Sequence, residues 1–325
     1  LLSQISYIRA EDLPLQELRR YGCILRTFLP GQRAAKEEMP SRRASQKEAE
    51  AMHSEFAAMH RRKGEDDLAE LYRLRLQAEV WESAADEFFA DLHIRPGSRV
   101  VDLCCGAMGV LEPLSRAVGE HGTVIGVESN PIRLNAARAF IEDADLSNVD
   151  IVEGSAMATG LPSGQFDLVH CRFLFAPTGH PDLILSEMLR LLRPGGYIAI
   201  QEPDGSCWNF TPGSASWIRL KMAIFGAIRA GGGDFNAGLH TFGMLRAAGM
   251  GEVSQRNACL ACHGRDPYKQ LPLQFANWLR PQIVDRMLMS EDRLEECLED
   301  AITIAADPST VMTTFLVTQV AARKI

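Results

Sequence analysis

Apolar residues along this chain alternate between two spacings. Short β-branched runs at 100–103 (Val100, Val101, Leu103), 124–127, 149–152, 166–171 and 197–201 have the continuous character of strands buried on both faces. Between them, 110–118, 133–141 and 182–192 place apolar side chains at helical spacing. His121-Gly122 stops the first of these helices and Pro194-Gly195-Gly196 the third. Further on, 241–248 reads as a helix ending at Gly249, 253–263 alternates as a strand, 267–305 is helical, and 313–322 is a last strand. Strand–helix alternation with a closing antiparallel pair predicts an α/β fold built on a doubly wound, mostly parallel sheet.

Ahead of this pattern, 13–29 has helical spacing and ends at Pro30-Gly31, and a basic linker runs to Arg43. Ser45 and Glu48 then frame a capping box that opens a helix to His60, with Met52, Phe56 and Met59 on one face. That stripe reads as a lid or dimer contact, or as packing against the main domain. Residues 65–91 form one long amphipathic helix or two joined near Glu82, with Tyr72, Leu76, Val80 and Trp81 inward. The chain therefore divides into an N-terminal helical extension, 1–65, and a main domain, 66–325, with lid insertions at about 204–236 and 264–311. The first insertion holds Trp208, Trp217 and three consecutive glycines at 231–233, which suggest a hinge or mobile loop.

The candidate chemistry starts where the first strand ends. Asp102 closes the strand, 104–109 is a small-residue turn, and a helix follows. Backbone N–H groups and a helix N-terminus are thereby brought close to a ligand. Glu128, at the tip of the next strand, stands about 20 positions after Gly106, as an acid that holds ribose hydroxyls does in a βαβ unit. A dinucleotide site needs G-x-G-x-x-G to approach a pyrophosphate. Here only Gly106 and Gly109 are present, and no P-loop Lys-Ser/Thr follows. A nucleoside without phosphates, S-adenosylmethionine, suits this turn better.

DLCCGAMG followed by GVESNP resembles two motifs of the class I S-adenosylmethionine-dependent methyltransferases. The likeness continues in order through VEGSAMATGLP, FDLVHCRFLF, LRLLRPGGYIAIQEPD and LHTFGMLRAAGM, over about residues 70–260. It points to the small-molecule branch with quinone-biosynthesis and secondary-metabolite enzymes. The resemblance implies a seven-stranded Rossmann-like sheet of order 3-2-1-4-5-7-6. It also implies that LYRLRLQAEVW is a helix whose Arg75 and Gln77 reach over the cofactor. Cys104 and Met108 replace family glycines, Ser155 replaces an acid that binds the adenine, and Pro177 replaces a histidine.

Composition removes several alternatives. Against 34 basic residues stand 42 acidic ones, a net charge of −8, which argues against neutralising nucleic-acid phosphates. No signal peptide and no apolar run of about 18 residues is present, so no membrane partner is expected and the cytoplasm is the simplest location. The chain opens on Leu1 rather than Met and reads as a trimmed start. Cys259, Cys262 and His263 spell C-x-x-C-H, but no second pair or export signal accompanies them, so haem and zinc are both set aside. His53 and His60 lack a third ligand, and no metal is expected. Arg42-Arg43-Ala44-Ser45 has the form of a kinase site but reads better as the helix cap.

The expected activity is methyl transfer from S-adenosylmethionine to an O, N or C nucleophile of a small, partly apolar molecule, by in-line displacement. The alternative is a cofactor-binding relative that catalyses a non-methylating reaction such as a cyclisation, or a silent binding partner. Asp102, Cys105, Gly106, Ala107 and Glu128 lead the candidate cofactor residues, with Ser129, Ser155, Ala156, Met157 and Arg172 behind them. For a general base, His180, Glu202 and His240 stand level, with catalysis by proximity alone as the remaining possibility. His170, inside a strand, reads as a satisfied core histidine. A homodimer exchanging N-terminal helices is possible.

Overall fold

A computed structural model describes residues 65–325; the expectations for 13–60, the Met52–Phe56–Met59 stripe among them, lie outside the described residues. Helices α1 (Glu65–Val80) and α2 (Glu82–Asp91) come first, so the leading helix is two, joined at Trp81. The βα alternation then runs β1 (Arg99–Leu103), α3 (Leu111–Val118), β2 (Thr123–Glu128), α4 (Pro131–Asp143), β3 (Val149–Glu153), β4 (Phe166–Arg172), α5 (Pro181–Leu191) and β5 (Leu192–Asp204). After it come β6 (Asn209–Thr211), α6 (Ala215–Ala230), α7 (Gly238–Ala247), β7 (Gly251–Ala258) and β8 (Ala261–Cys262). The chain finishes with α8 (Leu271–Trp278), α9 (Arg280–Asp285), α10 (Glu291–Ala306), β9 (Val311–Thr313) and β10 (Leu316–Arg323).

Seven strands form one sheet in the order β3-β2-β1-β4-β5-β10-β7. The first five are parallel, and β10 runs antiparallel to both β5 and β7. This is the order 3-2-1-4-5-7-6 that the motifs imply. Local chemistry sets its frame: Asn130 caps α4 by accepting from the N–H groups of Ile132 and Arg133, and Pro131 opens the helix where no N–H is needed.

Alternate residues of the central strands feed two cores. Val101, Leu103, Val169 and Ile198 pack with Ile184 and Met188 of α5. Val100, Leu168 and Ala199 pack with Phe88 and Phe89 of α2 and Leu114 of α3. A third core lies in a cap made by 208–235 and 262–315, where Trp208, Trp217, Phe235, Tyr268 and Phe315 join Trp81.

The cap departs from the expected elements in three places. Residues 267–305 are not one helical stretch: a short turn at Pro267–Gln270, α8, α9 and α10 follow one another, with prolines near the starts of the first three and Ser290 capping the last. The alternating run 253–263 breaks at Cys259 and Leu260, and the last strand breaks at Thr314 and Phe315. The fragment β9 then pairs with β6 on one side and β8 on the other in a separate three-stranded sheet. Finally, the glycines at 231–233 permit close packing. A Cβ on Gly233 would lie 2.3 Å from the Ala176 carbonyl oxygen, and the Asp234 N–H donates to that same carbonyl at 2.8 Å.

Candidate active site

The turn after β1 is wound by three left-handed residues, Cys104 (φ 57°), Gly106 (φ 67°) and Gly109 (φ 45°). Gly109 has no substitute there, because a Cβ would meet the Cys105 carbonyl oxygen at 2.3 Å. At Gly106 the equivalent position has nothing within 4 Å, so the backbone faces open space. Cys104 holds a conformation that costs a β-carbon-bearing residue about 1–2 kcal/mol. Cys105 and Ala107 are buried in the same turn. The helix that follows, α3, has no side-chain cap on its first N–H groups.

Glu128 ties this turn to the next one. Its Oε1 accepts from the N–H groups of Ser129 and Asn130, both at 2.8 Å, and its Oε2 accepts from Gly106 N–H at 3.1 Å. The Cys104 thiol lies 3.9 Å from Oε2, and burial with Glu128 beside it pushes that thiol well up. Oε2 thus meets two donors, the Gly106 N–H and the weakly donating Cys104 S–H, of which the thiol is the easier to displace.

Asp102 is buried and bonds His170 Nδ1 at 2.7 Å. His170 Nε2 lies 3.0 Å from Gln201 Nε2, and Gln201 Oε1 accepts from Gln319 Nε2 at 2.8 Å. Gln319 Nε2 also donates to the Ala84 carbonyl at 2.9 Å. With Gln201 Nε2 donating to His170 Nε2, it is the Nδ1–H that donates to Asp102. A row of polar side chains thus crosses β1, β4, β5 and β10 inside the core, and Asp102 is its terminus beside the turn.

Arg172, at the tip of β4, donates from Nη2 to the Gly109 carbonyl at 3.0 Å. Its Nη1 is buried and has no partner. Burial lowers its pKa to about 10, with Asp102 pulling the other way, so the guanidinium is charged at neutral pH. The Phe173 ring lies 5.7 Å from it.

Past β3, Ser155 Oγ accepts from Met157 N–H at 3.3 Å, and Ala156 and Met157 are partly buried against the sheet's core. In α1 the structure separates the two expected residues. Arg75 pairs with Glu79 at 2.7 Å, whereas Gln77 is buried and accepts from Arg73 Nη1 at 3.0 Å. Arg73 also forks onto Glu70 and lies 5.3 Å from the Phe275 ring; both arginine side chains are largely buried, on different faces of the helix. Arg73 and Gln77 are four apart and share a helix face, while Arg75 and Gln77 do not.

The three candidate bases have different surroundings. Both oxygens of Glu202 are engaged, accepting the N–H groups of Leu174, Phe175 and Ala176 at 2.7, 2.8 and 3.0 Å. Burial raises its pKa to about 7 against those three donors. His240 is exposed and faces Asp234 at 3.4 Å. His180 is half-buried at the start of α5 and makes no capping hydrogen bond. The C-x-x-C-H segment comes apart in the structure: Cys262 is buried in the cap core, while Cys259 and His263 are exposed. Among the described residues no group of three or more His, Cys, Asp and Glu is placed to hold a metal, and no helix is long and apolar enough to cross a membrane.

Residues 100–196 match the family model of a methyltransferase domain. Over that stretch the chain carries a methyltransferase domain. Demethylmenaquinone methyltransferase of Bacillus cereus is 29% identical over 140 residues, which covers 43% of this chain and 59% of that protein. The chain thus spans about three fifths of the length of the curated relatives it matches. The YcgJ protein of Bacillus subtilis shares the fold, with a TM-score of 0.50 at 13% identity over 75% of this chain and 99% of that one. A SAM-dependent methyltransferase from Aquifex aeolicus is 26% identical over 38% of this chain and 64% of that one, with a TM-score of 0.35. Around the turn the structure thus brings together an open backbone at Gly106, the Glu128 carboxylate and a buried cation with an unpartnered N–H at Arg172.

Proposed function

We propose that this chain transfers a methyl group from S-adenosylmethionine to a small, partly apolar acceptor in the cytoplasm. The observation that carries the reading is the unpartnered Nη1 of Arg172, buried beside a turn whose backbone is open at Gly106. Glu128 would take the ribose hydroxyls on Oε2, and Arg172 the cofactor's carboxylate. Ser155, Ala156 and Met157 would flank the adenine, and Gln77 with Arg73 would close over the cofactor from α1.

When bound, the cofactor supplies a methyl group on an already activated sulfonium. The chain's part is then to align the acceptor and keep water out, a contribution of ~7–11 kcal/mol in favourable cases. Half-buried Phe173 and Phe275, each beside an arginine, suit an acceptor with a ring and a polar edge. A relative that acts in demethylmenaquinone methylation supports an acceptor of that kind. Of the three candidate bases Glu202 is fully buried and His240 faces solvent, so the half-buried His180 is the one we favour, worth about 10²–10⁴-fold where a hydroxyl must be deprotonated, with proximity alone sufficing where none must.

Calorimetric titration with S-adenosylmethionine and S-adenosylhomocysteine tests this, on the native chain, Glu128→Ala and Arg172→Met. Micromolar binding is expected, lost in Glu128→Ala and weakened about tenfold in Arg172→Met, ~1.4 kcal/mol. Arg172→Met should shift the melting temperature little, because the lost Nη2 bond to the Gly109 carbonyl is set against removal of a buried cation with an unmet N–H. A native chain that binds neither ligand overturns the proposal.

A further inference from the structure

Three crossings join the seven-stranded sheet to the cap. Gly205–Cys207 leads from β5 toward β6, Cys259 and Leu260 lead from β7 to β8, and Thr314 and Phe315 lead from β9 back to β10. All three meet at a pair of thiols. Cys207 Sγ lies 3.8 Å from Cys259 Sγ, although the residues are 52 positions apart. Both thiols point at the Thr314 carbonyl, at 3.2 and 3.6 Å, and Thr314 Oγ1 accepts from Leu260 N–H at 3.0 Å. Pro203 and Ala258 flank Val317 on either side, so the two thiols close over the start of β10 from its two neighbouring strands.

We propose that Cys207 and Cys259 are a modification site: a dithiol that oxidises reversibly to a disulfide and clamps the cap to the sheet. Only about 2 Å of sulfur movement separates the thiol pair from a bonded one. Cys259 is exposed and Cys207 half-buried, which orders the chemistry. A low-molecular-weight disulfide is the oxidant. The Cys259 thiolate attacks one of its sulfurs, forming a mixed disulfide and expelling one thiolate. The Cys207 thiolate then attacks the Cys259 sulfur, forming the Cys207–Cys259 bond and expelling the second. Two electrons pass from the protein thiols to the reagent, and the two thiol protons end on the two released thiols. Burial and the neighbouring Cys259 push the Cys207 thiol up to about 11, as suits a resolving rather than an attacking sulfur. The bond would close a loop containing β6, α6 and the glycines at 231–233.

The test uses the full chain, reduced and then exposed to oxidised glutathione, with free thiols alkylated and peptides mapped by mass spectrometry. The expected product is a Cys207–Cys259 cross-link with the mass of two hydrogens lost. Cys207→Ser should stop at a glutathione adduct on Cys259, and Cys259→Ser should give no cross-link. Amide hydrogen exchange across 208–230 should slow several-fold on oxidation and recover on reduction. A native chain that stops at the adduct, joins a different pair or leaves both thiols free overturns the site. Unchanged exchange in the cross-linked chain overturns the clamp. Neither readout involves cofactor or turnover, so a failed methyl-transfer reading leaves this inference standing, and the reverse.

Discussion

The turn at 104–109 and the cap beyond the sheet edge are both buried, yet they are held by opposite means. The turn is a polar device: Glu128 alone gathers three backbone N–H groups, and glycine conformations at 106 and 109 let the chain wind around it. The cap is an apolar one. Trp208 stacks on Phe235 with centroids 5.3 Å apart and meets Trp217 and Phe315 edge-on at 5.0 and 5.7 Å. Directional bonds fix the turn's geometry closely, as ligand contacts require. Dispersion and burial give the cap its stability without demanding one backbone path.

Four substitutions sharpen or break that contrast. Trp208→Ala, which empties the centre of the cap, should cost about 3–5 kcal/mol in urea unfolding while S-adenosylhomocysteine still binds. Loss of that binding would show that cap and turn are a single unit. Glu202 should have the next largest effect, and it depends on pH. Its folded pKa, about 7, lies above its ordinary value of 4.5. Between those values the folded chain holds the proton that the unfolded chain has lost, so stability falls as pH rises through the window, by roughly 3 kcal/mol. Unfolding titrations between about pH 5 and 8 should show this slope in the native chain and its loss in Glu202→Gln. An equal slope in both would assign the titration elsewhere.

Gly109→Ala should follow at about 2–3 kcal/mol, from a strained φ and a clash with Cys105. Unlike Trp208→Ala, it should also abolish ligand binding in calorimetry. Cys104→Gly is the smallest. It relieves a left-handed cysteine but loosens the unfolded chain, for a net gain of at most about 1 kcal/mol in thermal melts. A clear loss instead would mean that the thiol's contact with Glu128 outweighs the backbone strain.

The amino-acid sequence by itself determined the wound sheet and the glycine turn after its first strand. Both are local matters: β-branched runs fit strands buried on two faces, Asn130-Pro131 begins a helix wherever it occurs, and Gly109 is required by the backbone within four residues of itself. The Arg73–Gln77 bond was legible too, through helix spacing, although Arg75 was the residue the family likeness suggested. Tertiary structure decided the rest. The break of 253–263 at Cys259, the pairing of three short strands into a second sheet, and the use of 231–233 for close packing all depend on segments far apart in the chain. So does the occupation of Glu202 by the loop after β4, which a carboxylate at a strand tip does not announce. Backbone preference acts over a few residues, whereas a partner for a buried ring, thiol or carboxylate is chosen only when distant segments meet.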